Sequence, residues 1–212
     1  MKGFLISFEG TDGCGKSTQI RLLAEKLKRE GKDVLVSREP GGCRIGEKIR
    51  EILLNAENRE ISSLCELFLY EAARAQHMQE IVFPALEAGK IVILDRFVDS
   101  TYAYQAYGRG LERETVEHLN TFAVSGRYPD ITLLLALSPK EAFCRKGGRE
   151  DGDRMEQAGD SFFQRVQSGF EEAARKYPER ICVVNVESSK EETHRKIYGS
   201  VKALLGEYDY GY

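Results

Sequence analysis

An apolar run, Phe4-Leu5-Ile6-Ser7-Phe8-Glu9, feeds without a break into Gly10-Thr11-Asp12-Gly13-Cys14-Gly15-Lys16-Ser17, and an amphipathic stretch from Thr18 to Arg29 follows. Strand formers, closely spaced glycines and then helical periodicity leave little choice of local fold: the chain turns sharply at the end of a strand and enters a helix. Gly10, Gly13 and Gly15 let the backbone curl so that successive N–H groups converge on one hollow. The positive end of the following helix adds to that field. In this strand–loop–helix context, G-x-x-x-x-G-K-S is a phosphate-binding loop. Lys16 can reach β- and γ-phosphates, and the Ser17 hydroxyl suits a magnesium ion. Residues from Gly10 to Thr18 are therefore read as the binding segment for a nucleoside triphosphate.

The rest of the chain repeats the alternation. Apolar runs at Phe4–Phe8, Val34–Val36, Ile91–Leu94, Ile131–Leu137 and Ile181–Val186 are separated by helical patterns. Those patterns lie at Ser17–Glu30, Ile45–Asn55, Ser63–Ala88, Glu112–Ser125, Pro139–Arg145, Asp160–Lys176 and Lys190–Leu205. Continuous Val/Ile/Leu runs joined by crossover helices imply an α/β, three-layer P-loop NTPase fold, a five-stranded parallel sheet with helices on both faces. Gly31 and Gly89 stand where helices should end, and Pro139 at a first helical position. No linker, repeat or low-complexity tract interrupts residues 1–212, which are expected to form a single domain. A net charge of −3 argues against a surface that coats nucleic acid. No run approaches the roughly 20 apolar residues that cross a membrane, and Met1-Lys2 leads directly into the first strand with no leader pattern. The five cysteines (Cys14, Cys43, Cys65, Cys144, Cys182) are scattered without a C-x-x-C pair, which suggests reduced thiols and a cytoplasmic protein. Cys14 reads as a small residue that fits the loop. His77, His118 and His194 show no metal-ligand spacing.

Ligands of open parallel sheets bind beyond the carboxyl ends of the strands. Ser37-Arg38-Glu39-Pro40-Gly41-Gly42 follows the second strand, and its tight turn leaves Arg38 facing either a phosphate or solvent. Asp95-Arg96 ends the third strand, and Phe97 to Gln105 follows. Asp95 has the position of a magnesium-side carboxylate and Arg96 that of a second phosphate clamp; the alternative is an Asp95–Arg96 ion pair at a sheet edge. Tyr70 and Arg74, spaced i,i+4, share one helix face and suit a planar base, although taken alone they read as a core tyrosine beside a solvated arginine. The charged, glycine-rich segment Arg145–Glu156 is expected to be a mobile surface lid that cannot pack in a core.

In combination these segments resemble the thymidylate kinase (dTMP kinase) family of nucleoside monophosphate kinases. The matching stretches are Phe8-Glu9-Gly10 through Ser17-Thr18, Arg38-Glu39-Pro40-Gly41-Gly42, Tyr70 through Gln76, Asp95-Arg96 through Gln105, and Asp153-Arg154-Met155-Glu156. The resemblance implies phosphorylation of dTMP to dTDP by ATP with magnesium, on the route to dTTP, in a homodimer. It implies that Asp12 contacts the sugar 3′-hydroxyl and assists the metal, and that Arg38 and Arg96 grip the acceptor phosphate beside Pro40. Tyr70 would stack on thymine and Arg74 would bond the base edge. Thr101 and Gln105 would lie near the base, Ser100 would join the substrate-binding set, and Tyr104 would crowd the 2′ position. Ser17 and Asp95 would serve the magnesium.

Gly13 and Cys14 supply no arginine inside the loop, whereas the lid, about residues 145–158, has Arg145, Arg149 and Arg154. That resembles the bacterial variant, in which the lid donates the catalytic charge; Arg149 is the candidate. Cys43 and Glu71 depart from the common family pattern. Lys16, Asp12, Asp95, Arg96 and Arg149 are thus the expected catalytic set. The rival readings are another P-loop nucleoside or nucleoside monophosphate kinase and, more remotely, a nucleotide-dependent switch. The chain lacks the Asn-Lys-x-Asp guanine-reading motif.

Overall fold

A strand buried along its whole length needs cover on both faces, and β1 (Phe4–Glu9) is buried at every position. The structure, a computed structural model, describes residues 3–137, 154–155 and 159–209. After β1 come α1 (Lys16–Arg29), β2 (Val34–Arg38), α2 (Arg44–Leu54), α3 (Ser63–His77), α4 (Phe83–Glu87), β3 (Ile91–Asp95), α5 (Val98–Thr101) and α6 (Arg113–Ala123). Then follow β4 (Ile131–Ala136), α7 (Asp160–Lys176), β5 (Ile181–Asn185) and α8 (Lys190–Asp209). The five strands are all parallel, in the order β2-β3-β1-β4-β5.

Side chains alternate along each strand, and the alternation sorts the core into layers. Phe4, Ile6 and Phe8 pack with Ile20, Leu23 and Leu27 of α1 and Ile197 and Val201 of α8. Leu5, Val92 and Leu94 point the other way, against Met78, Val82 and Leu86. Fully burying a side chain of this kind contributes about 1.5–3 kcal/mol. Three layers with the sheet between them result, as the apolar runs indicate.

Two helical stretches depart from the sequence reading. The expected single helix 63–88 is α3, a π-helical turn at Met78–Val82, and α4. Ser62 caps its start by accepting from the Cys65 N–H, and Gly89 ends it at φ 77°. The segment after β3, expected only as a ligand-facing stretch, is helical from Val98 to Gly108, with π geometry from Tyr102 onward. It packs against α7 at small residues: a Cβ on Gly169 would stand 2.8 Å from Ala103 Cα, and one on Gly108 2.6 Å from the Phe162 ring. That close approach fixes the turn bearing Tyr104 and Gln105. The helix expected at Pro139–Arg145 lies outside the described residues. No helix among the described residues is long and apolar enough to cross a membrane.

Candidate active site

β1, β2 and β3 end together, and their carboxyl ends open onto a cavity of about 480 Å³. One side is built by the phosphate loop. Gly10, Gly13 and Gly15 have φ of 129°, 86° and 98°, in the left-handed region that favours glycine. At Gly10 a Cβ would also stand 2.6 Å from the Leu135 carbonyl oxygen. Lys16 is buried, its Nζ donating to the carbonyls of Gly10 (3.0 Å) and Thr11 (3.2 Å). Asp12, Gly13, Gly15, Lys16, Ser17 and Thr18 line the cavity. Gly10, Thr11 and Cys14 do not; they form the back of the loop, with Cys14 packed in the core beneath it. Burial pushes the Cys14 thiol up, which keeps it protonated.

Ser17 Oγ donates to Asp95 Oδ2 at 3.3 Å, so a hydroxyl and a carboxylate meet between the loop and the end of β3. Two hard oxygens fit magnesium, which usually takes one or two protein ligands and completes its shell with phosphates and water. Among the described residues no group of three His, Cys, Asp or Glu side chains stands ready to hold a metal by itself.

The other side of the cavity is lined by Arg38, Pro40, Tyr70, Arg74, Arg96, Ser100, Thr101, Tyr104 and Gln105. Arg96 adopts φ 70°, unusual for a residue with a Cβ, and its guanidinium donates to Asp12 Oδ1 at 2.6 Å and Ser100 Oγ at 3.1 Å. The expected alternative, an Asp95–Arg96 pair at a sheet edge, is not what forms: β3 is an inner strand, and Arg96 pairs with the phosphate loop. Tyr104 lies under that guanidinium, 5.2 Å from ring centroid to Cζ, with its hydroxyl buried in the site. Burial pushes its phenol well up. Arg38 is exposed and held by Glu47 at 2.9 Å.

A core tyrosine beside a solvated arginine is not what forms at Tyr70 and Arg74. Arg74 is the buried partner, donating through Nε to Glu39 (2.8 Å) and through Nη1 to Glu71 (2.9 Å) and Asn120 (2.7 Å). Tyr70 is half-buried. An arginine is stable there because two carboxylates and an amide replace its water; burial works against its charge, but Glu71 and Glu39 outweigh it and hold the guanidinium pKa up. The carboxylate Glu39 also contacts Nδ1 of the fully buried His77 at 3.1 Å.

The glycine-rich segment, expected to be unable to pack in a core, differs at its described end. Its end does pack: Met155 belongs to a core cluster and Arg154 is buried, ion-paired to Glu66 at 2.6 Å and donating to the Leu53 carbonyl at 2.8 Å. A paired charge can enter a core that an unpaired one cannot. Arg145, Arg149 and residues 156–158 lie outside the described residues.

Sequence reasoning missed the buried acids Glu9, Glu39 and Glu66. Glu9 accepts the Phe97 N–H at 2.7 Å and the Ser100 hydroxyl at 2.5 Å, capping the helix that follows Arg96. Its carboxyl is pushed up to about 8 by burial, then by Asp99. The available signal was its place: a carboxylate closing an apolar strand directly before the loop.

The thymidylate kinase family model matches residues 8–197. The chain belongs to the thymidylate kinase family. It is 45% identical over 205 residues to the thymidylate kinase of Thermoanaerobacter sp. (strain X514), covering 97% of this chain and 100% of the relative. It is 46% identical over 213 residues to that of Geotalea uraniireducens (strain Rf4), covering 97% and 99%. The crystal structure of thymidylate kinase from Ehrlichia chaffeensis superposes with a TM-score of 0.78 at 33% identity, covering 95% of this chain and all of that one. The chain is therefore a P-loop nucleoside monophosphate kinase, a phosphotransferase, of a family that phosphorylates dTMP and draws on ATP. The switch reading is set aside.

Proposed function

We propose that the two sides of this cavity bind ATP and dTMP and that residues 1–212 act as one kinase domain making dTDP. The observation that carries the assignment is the shared cavity: the phosphate loop with Ser17 and Asp95 borders it on one side, and Arg96, Arg74, Tyr70 and Gln105 border it on the other. Phosphoryl transfer demands alignment of two phosphates and neutralisation of charge, with little covalent chemistry from the protein.

The loop N–H groups and Lys16 hold the donor phosphates. Ser17 and Asp95 would hold magnesium, which when bound offsets charge on the β- and γ-oxygens. Arg96, oriented by Asp12 and Ser100, and Arg38 beside Pro40 place the acceptor phosphate for in-line attack. Tyr70 stacks on the base, and Arg74 donates to its edge. Thr101 and Gln105 lie near the base, and Tyr104 crowds the 2′ position of the sugar. Arg149 supplies the remaining positive charge in the transition state. No general base is needed, because the attacking phosphate is already anionic near neutral pH. Exposed Ile52, Leu64, Phe68 and Phe122 on α2, α3 and α6 support a homodimer, and the scattered free cysteines among the described residues suit the cytoplasm.

A coupled assay of ADP release with dTMP, dUMP, AMP and thymidine as acceptors tests this assignment. dTMP should give the highest kcat/KM, and Lys16→Ala should abolish turnover while the thermal melt stays cooperative. Faster use of AMP or thymidine, or an active Lys16→Ala variant, overturns it.

A further inference from the structure

Gln105 has a planar amide with a donor at one end and an acceptor at the other, so which end faces the cavity decides what base edge it reads. Glu66 of α3, fully buried, settles the orientation. Its Oε1 accepts from Gln105 Nε2 at 2.9 Å, and both of its oxygens accept from Arg109, at 3.0 and 2.9 Å. Oε2 also pairs with Arg154 at 2.6 Å. Burial alone would raise the carboxyl, but the hydrogen bonds from Arg109 and Gln105 and the charges of Arg109 and Arg154 outweigh it and hold Glu66 below the usual carboxylate range. An ionised carboxylate only accepts, so the amide nitrogen of Gln105 must face it and the amide oxygen must face away. Gln105 lines the cavity together with Arg74, which only donates.

We infer that Glu66 is a positioning residue for base selection: it locks Gln105 with its carbonyl oxygen toward the acceptor base, so that Gln105 and Arg74 together present an acceptor beside a donor. This rests on the acceptor assignment proposed above. Thymine offers the complementary edge, an N3–H donor beside the O4 acceptor. A 4-aminopyrimidine offers the reverse, an N3 acceptor beside an amino donor, and meets like groups at both positions.

Glu66→Gln tests the inference, because Arg109 and Arg154 claim the new amide's oxygen and leave its nitrogen toward Gln105. The Gln105 amide then turns over and presents its NH₂ to the base. The expected result is a fall of at least about tenfold in kcat/KM for dTMP, carried by KM, and a comparable fall in the dTMP:dCMP preference, with KM for ATP unchanged. A merely structural role for Glu66 would not change the ratio of two acceptors that share sugar and phosphate. Should Glu66→Gln fail to fold, Gln105→Leu, which leaves the Glu66–arginine pairs in place, should raise KM for dTMP by a similar factor. An unchanged dTMP:dCMP ratio in folded Glu66→Gln, or an unchanged dTMP KM in Gln105→Leu, overturns the inference while leaving the kinase assignment intact. A wild-type enzyme with no preference for dTMP over dCMP overturns both.

Discussion

Asp12 Oδ1 stands 2.6 Å from Arg96 Nη2, joining the phosphate loop to the residue after β3 across 84 positions of sequence. The donor loop and an arginine assigned to the acceptor are thus one hydrogen-bonded unit. Asp12 also lies 3.6 Å from Lys16 Nζ, so the carboxylate sits between the two cations.

Asp12→Asn keeps the shape and removes the charge that orients both. KM for dTMP should rise roughly tenfold and kcat should fall, since the charge-assisted bond to Arg96 is lost. Steady-state kinetics with each substrate varied in turn would show it. A rise confined to the ATP KM would place Asp12 in the donor site alone.

Glu9 makes stability depend on pH. Its folded value of about 8 lies above the ordinary 4.5, because burial and Asp99 oppose its charge more than Ser100, Arg96 and the Phe97 N–H favour it. The folded state therefore holds a proton that the unfolded chain releases between those values. The stability linked to it is fully present below pH 4.5 and is lost as pH rises through 8. The melting temperature of Glu9→Gln relative to wild type should accordingly climb between pH 5 and pH 9. Parallel melting curves for the two proteins across that range would remove Glu9 as the source.

Arg149 and Arg154 should separate cleanly. Arg149→Ala should lower the single-turnover rate by at least about two orders of magnitude with little change in dTMP affinity. Arg154, buried against Glu66 and the Leu53 carbonyl, should act on stability instead. Breaking such a pair costs about 3 kcal/mol, or roughly 6–12 °C in melting temperature at this chain length, while the rate at saturating substrate stays near wild type. Rapid-quench kinetics and thermal denaturation of both variants give the comparison; exchanged phenotypes would reverse the two assignments.

The sequence by itself determined the phosphate loop, the parallel sheet and the places where chemistry gathers. These depend on local rules: glycine at left-handed φ, apolar runs that demand cover on both faces, and charged residues directly after strand ends. Gly10 to Ser17, Arg38, Asp95 and Arg96 were legible for that reason. Only the tertiary structure decided who pairs with whom. Arg74 is buried because Glu39, 35 residues away, and Asn120, 46 residues away, converge on it. The helix from Val98 to Gly108 combines β-branched and aromatic residues of modest helix propensity, so packing against α7, made possible by Gly169 and Gly108, settles its conformation. Glu9, Glu39 and Glu66 look like ordinary acids in the sequence. Whether a carboxylate is solvated or a buried hub depends on which donors the fold delivers to it, and at Glu66 those are Gln105, Arg109 and Arg154 from other parts of the chain.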